Sequence, residues 1–216
     1  QVTSAAYCDV IDSAWASAAL DTIGASRRSQ DALAIHVNSL RVESTPETPA
    51  GSLPRRIYPN GAPAFLGGNA DPEGAAWLLA ACWRHAVSLP VAEQAPYLTS
   101  IWPALERSAD YLALEPRVGG ALSGALSAGS ATLDTLRIHY LGLESSRRMA
   151  ILLGEAEPGL WSDRRSEVYS RIRFRKLNQG DGSGPESPWI DWWIRLLPSA
   201  VPEVADMGGS VTGRHR

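Results

Sequence analysis

Two cysteines, two methionines, two phenylalanines and a single lysine are all that the 216 residues contain of these types, and the scarcities close off whole classes of protein. Cys8 and Cys82 allow one bridge at most, so neither a disulfide framework nor a four-cysteine zinc site can be built. Basic residues do not exceed acidic ones: 20 Lys and Arg stand against 23 Asp and Glu, giving a net charge of −3 and a pI near 5.8. That balance argues against nucleic acid as a partner. No apolar run approaches the ~20 residues that cross a bilayer, so no membrane anchor is expected. His36, His85, His139 and His215 show no H-E-x-x-H-type spacing, and there is no G-x-S-x-G elbow, Walker-type loop or strand-coupled G-x-G-x-x-G. No metal and no cofactor are expected. Gln1 opens the chain without an initiator Met or a charged-then-apolar leader, so it reads as a processed or truncated end, with a cytoplasmic location favoured over a secreted one.

What the chain does hold is 44% apolar residues at a mean hydropathy of −0.13, enough to bury a core in a globular protein. Its aromatics are lopsided, with eight Trp and six Tyr, and Arg supplies nearly all the positive charge. Flat rings with a polar edge suit sugar stacking and helix packing alike.

Periodicity predicts helices over 9–23, 27–42, 72–87, 95–113, 132–153 and 159–177, with a short Trp-rich one over 189–197. Gly24 and Gly154 stand where left-handed caps belong. The first and third helices, around Ala14-Trp15-Ala16-Ser17-Ala18 and Gly74 to Trp83, lack a polar face, and each is expected to be buried all round. The second and fourth are amphipathic. Between them, residues 43–70 carry too many Pro and Gly for a helix and read as a long ordered loop. Odd-numbered helices begin near 9, 72, 132 and 189, so a helix pair recurs about every sixty residues. We read an all-α domain of stacked αα-hairpins over residues 1–198 and a poorly ordered tail over 199–216. An irregular helical domain is the alternative.

Three stretches carry a resemblance. Tyr7-Cys8-Asp9-Val10-Ile11-Asp12-Ser13-Ala14-Trp15 is similar to an aromatic-rich lead into an inner helix. Gly51-Ser52-Leu53-Pro54 followed by Tyr58-Pro59-Asn60-Gly61 resembles a G-x-L-P…Y-x-P-D-G rim loop. Asp71-Pro72-Glu73-Gly74 with Trp77, and later Ile101-Trp102-Pro103-Ala104-Leu105-Glu106-Arg107, complete the pattern. Together they look like the (α/α) toroid of glucoamylase-like, six-hairpin glycoside hydrolases, here as a partial toroid of about three to four hairpins. Two departures stand out: Ile11 replaces the family's Arg, and no Glu lies in the Gly/Ser-rich stretch 118–130, where such enzymes carry their acid. A complete family site cannot be assembled.

The resemblance implies that inner-helix N-termini face a bound sugar. Carboxylates stand at or beside these ends: Asp12, Asp71 with Glu73, Asp134 and Asp191. Taken singly, each also reads as a cap or a first-turn acid complementing the helix dipole. As a set, Glu73 and Asp71 are the candidate catalytic pair, with Asp12, Trp15, Tyr58, Trp77 and Asp134 as substrate-binding residues and an oligosaccharide or glycoside as the partner. Cleavage would need one protonated and one ionised carboxyl. The alternatives are a non-catalytic helical carbohydrate- or partner-binding protein, or an inactive fragment of a toroid glycosidase. A terpene-cyclase-like toroid lacks its D-x-D-D motif here. The basic cluster Arg164, Arg165, Arg171, Arg173, Arg175 and Lys176, interspersed with Asp163 and Glu167, reads as a solvated outer face. An open-ended ring would leave an apolar flank through which copies could self-associate.

Overall fold

The computed structural model describes residues 7–45, 48–60, 62–64, 70–114, 117–118, 121–122 and 133–179. They form six helices: α1 (Val10–Thr22), α2 (Ser26–Val37), α3 (Pro72–Ser88), α4 (Val91–Leu114), α5 (Leu133–Leu153) and α6 (Gly159–Gln179). Two antiparallel pairs of two-residue strands accompany them, β1 (Cys8–Asp9) with β2 (Arg56–Ile57) and β3 (Arg117–Val118) with β4 (Ala121–Leu122). The fold class is all-α. The Trp-rich helix expected over 189–197, the tail over 199–216, Asp191 and the remainder of the 118–130 connection lie outside the described residues.

Pairwise contacts set the helix directions. Ser17 meets Ser29 and Ser13 meets His36, so α1 and α2 are antiparallel; Glu144 meets Arg165 and Tyr140 meets Tyr169, so α5 and α6 are too. α1 and α3 run the same way, with Trp15 against Trp77 and Asp21 against Arg84 and His85. α4 returns from α3 after Leu89 and Pro90. α6 lies parallel to α4, Trp161 on Asp110 and Arg164 on Ala113. It follows that α5 points with α1 and α3, and these three, in contact as α1·α3 and α3·α5, make an inner row backed by α2, α4 and α6. Their N-termini share one end of the molecule.

Small residues let the inner row close up. α3 is buried at every position from Gly74 to Ala86, as its all-round apolar sequence predicts, and Gly142 of α5 lies against Ala76 and Leu112. α1 departs from that expectation. Val10, Ala14, Ser17 and Ala18 are buried, but Asp12, Ala16, Ala19 and Ile23 form an exposed stripe, with Ile23 at 77% exposure. The reason is position: among the described residues α1 has an inner neighbour on one side only.

Two helix ends also differ from the sequence reading. α2 stops at Val37 instead of continuing to residue 42, because the Arg41 N–H donates to Ser52 O and Arg41 O accepts from Gly51 N–H, which ties this stretch to the loop. α4 starts a turn before Ala95 and carries Pro96 and Pro103 inside it; Glu93 N–H donates to Pro90 O and the Gln94 side chain to Leu89 O, securing the earlier start. Neither cysteine is bridged.

At the outer corner of α4, α5 and α6, Trp161 is fully buried. Its indole N–H donates to Asp110 at 2.8 Å and its ring stands edge-on to Trp102 at 6.1 Å. Replacing it with Phe keeps an aromatic ring but removes the hydrogen bond and leaves a void. The expected cost is about 2 kcal/mol, read as a lower urea midpoint at an unchanged m-value.

Candidate functional site

Strand register starts the site. β1 and β2 pair Asp9 directly opposite Arg56, and directly opposed residues of an antiparallel pair project from the same face. Asp9 is only 6% exposed and is also the N-cap of α1, accepting from Ile11 N–H at 3.0 Å. A buried carboxylate needs charged partners, and two arginines supply them. Arg55 Nε lies 3.0 and 3.2 Å from the two Asp9 oxygens, and Arg56 Nε lies 3.2 Å from Oδ2.

Arg55 then bridges to α3. Its Nη1 is 3.4 Å from Asp71 Oδ2 and 3.9 Å from Glu73 Oε2. Backbone contacts hold the bridge in place: Asp71 N–H donates to Leu53 O, and Val10 N–H to Arg55 O. Asp71 is the N-cap residue of α3, yet its side chain makes no capping bond. The carboxylate turns to Arg55 instead, so its partner is a charge and not the helix backbone. Burial works against the Arg55 charge, but Asp9, Asp71 and Glu73 outweigh it and hold its pKa above the ordinary value.

Glu73 stands in the first turn of α3, two residues after Asp71. Burial first, then the neighbouring Asp71 charge, raise its pKa above the usual carboxylate range against the opposing pull of Arg55 and of a hydrogen bond from Trp77. Its side chain is still 44% exposed, so a ligand can reach it. Trp77 is buried under it, and the half-buried Trp15 leans on Trp77 at 5.6 Å and 45°.

Of the residues expected from the sequence, Asp71, Glu73, Trp77 and Trp15 therefore come together. Asp12 is an exposed first-turn acid of α1, and Asp134 is a first-turn acid of α5 lying 3.7 Å from Arg137. Both are at the N-terminal end of the inner row, outside the ion pairs that Arg55 makes with Asp9, Asp71 and Glu73. Tyr58 is half-buried one residue past β2, its N–H donating to Ala62 O, also outside those ion pairs. Sequence reasoning missed Asp9, Arg55 and Arg56. The available signal was a pair of adjacent arginines in a breaker-rich loop with no acid at helical spacing to pair them.

A second polar group proves structural. Asp21 and Ser29 both approach His85 Nδ1, at 2.9 and 3.1 Å, and Ser17 bonds Ser29 at 2.7 Å. A catalytic triad needs the acid on one ring nitrogen and the nucleophile on the other. Here both use the same nitrogen, and His85 is fully buried. The α6 cluster is likewise internal in part. Arg164 is buried on Ala113 O and Glu167, and Arg165 is paired with Glu144 and Glu157, so these two correct the expectation of a solvated face. Among the described residues no three His, Cys, Asp or Glu side chains are placed to hold a metal ion, and no helix is long and apolar enough to cross a membrane. No protein-family model matches this chain, and no curated protein sequence matches it.

Proposed function

We propose that this chain acts on glycosides at the N-terminal end of its inner row, with Glu73 as the proton-donating carboxyl. The observation that carries the reading is Glu73 itself: a reachable carboxyl beside Asp71, with its pKa pushed up, over the Trp15–Trp77 pair. A carboxyl whose pKa is raised by burial and by a neighbouring acid suits proton donation. Glu73 protonates the leaving oxygen, Asp71 is the partner carboxylate, and the indoles offer a face to the sugar ring. The parallel inner row and its outer backing support an arc of an (α/α) toroid. The exposed stripe of α1 is the flank through which copies would self-associate.

One observation favours a second reading, carbohydrate binding without cleavage. Both carboxylates contact the same Arg55 nitrogen, at 3.4 and 3.9 Å, so their oxygens are no further apart than those two contacts allow end to end. Only the short end of the ~6.5–9.5 Å inverting span fits, and at the ~5–5.5 Å of a retaining pair the Asp71 nucleophile would be held in an ion pair with Arg55. The test is turnover of a panel of aryl glycosides by the full chain. Hydrolysis that falls about a hundredfold in Glu73→Gln, with helicity unchanged, supports the enzyme. Oligosaccharide binding without turnover, weakened by Trp15→Ala, supports the binding protein, and the absence of both defeats the glycoside reading.

A further inference from the structure

We propose that Arg56 is a carboxylate receptor at the edge of this site, so that the sugar it takes is an acidic one, a uronate. The inference deepens the glycoside reading and rests on it for the identity of the ligand, while the receptor itself stands on the geometry of β1 and β2.

Three features of Arg56 make the case. Its Nε edge is fixed on the buried Asp9 at 3.2 Å. Its guanidinium face lies over the Tyr7 ring, 4.7 Å from the centroid, a cation–π arrangement. Register explains both contacts: Asp9 is opposite Arg56, and Tyr7, two residues earlier, continues the same face. What remains is the terminal pair of nitrogens. Among the described residues nothing holds either of them, and the side chain is 34% exposed.

A guanidinium presents donors in a planar fork that matches a carboxylate in bidentate fashion. An arginine loose on a surface must give up rotamer freedom to use that fork. Arg56 has already lost it to Asp9 and Tyr7, so binding there is preorganised. Arg55 cannot do the same, since its Nη1 is turned to Asp71 and Glu73. The two adjacent arginines thus divide the work: Arg55 ties the acids together, and Arg56 offers its fork outward. Tyr7 is itself 45% exposed, which extends the platform to solvent.

The experiment titrates the full chain with sodium glucuronate, glucose and sodium acetate, by calorimetry or NMR. Glucuronate is expected to bind about tenfold tighter than glucose, the scale of one charge-assisted contact. Arg56→Gln should abolish that preference, and Arg56→Lys, which keeps the charge but not the fork, should recover only part of it. Tyr7→Leu removes the platform without touching the ion pair and should weaken glucuronate several-fold while leaving glucose unchanged. Far-UV circular dichroism checks that each variant is folded. Equal affinity for glucuronate and glucose, or a preference that survives Arg56→Gln, overturns the receptor and leaves the glycoside reading standing. Acetate binding as tightly as glucuronate, with both lost in Arg56→Gln, keeps the receptor and overturns the sugar. No binding by any of the three overturns both.

Discussion

Acidification from pH 7 to pH 4 is expected to remove about 6 kcal/mol of folding stability, a large share of the ~5–15 kcal/mol typical of a domain. The cause is two histidines. His36 and His139 are buried, and burial lowers the pKa of each from 6.5 to about 4, for His36 against the opposing pull of Asp9 and for His139 against that of its hydrogen bond to Thr135 O, with the help of Arg164. Each ring has one nitrogen engaged: His36 Nε2 is 2.8 Å from the Ser13 hydroxyl, and His139 Nδ1–H donates to Thr135 O at 2.8 Å. Their other ring nitrogens are buried and, among the described residues, unpartnered.

The sign follows from which state binds protons. Unfolded histidines charge below about 6.5, whereas the folded ones stay neutral down to about 4. Stability is therefore complete above pH 6.5, falls through the window between the two values and levels off below pH 4, by about 3 kcal/mol per histidine. Glu73 acts in the opposite sense, since its raised pKa favours the folded state at low pH, but at 44% exposure its share is small. Urea midpoints measured every half unit from pH 8 to pH 3.5 give the profile. Replacing His36 with Gln and His139 with Asn should flatten it even though both variants start out less stable. A steep fall confined to pH values below 4, or an unchanged slope in the double variant, would show that other groups govern the acid response.

What the sequence revealed and what it concealed differ in range. Asp71, Glu73 and Trp77 lie within two turns of one helix, so helical spacing alone brings them together. The all-apolar run from Gly74 to Trp83 likewise announces a helix buried on every side, because the pattern is the burial. The exposed flank of α1 was invisible because Ala16 and Ala19 read the same whether or not a neighbour covers them. Asp9 meets Arg55 and Arg56 across 46 and 47 residues, through a register of two-residue strands too short to leave an alternating pattern. Arg164 shows the same limit: its charge suggests solvent and Glu167 is legible three residues on along α6, but Ala113 O, which helps to hold it in the interior, is supplied by the packing of α6 on α4.

Gly51→Ala is expected to cost about 4 kcal/mol, among the largest effects of a single methyl, while Gly24→Ala costs about 1 kcal/mol. The two glycines have nearly the same backbone, φ 78° at Gly51 and φ 75° at Gly24, so the left-handed penalty of a side chain is common to both. Space separates them. A Cβ on Gly24 meets nothing within 4 Å, whereas one on Gly51 lands 1.9 Å from the Arg107 carbonyl oxygen of α4. The Cβ has no rotamer and the atoms it strikes are backbone, so the loop must lift away. The displacement carries to the site, because Gly51 N–H is tied to Arg41 O, and Leu53 O two residues on accepts from Asp71 N–H. Arg55 and Arg56 follow directly. Gly51→Ala should therefore weaken glucuronate binding as well as lower the urea midpoint, and Gly24→Ala should leave binding intact. Equal losses of stability in the two variants would mean that the loop does not press on α4 as described, and unaltered binding in a destabilised Gly51→Ala would separate the loop's packing from the placement of the two arginines.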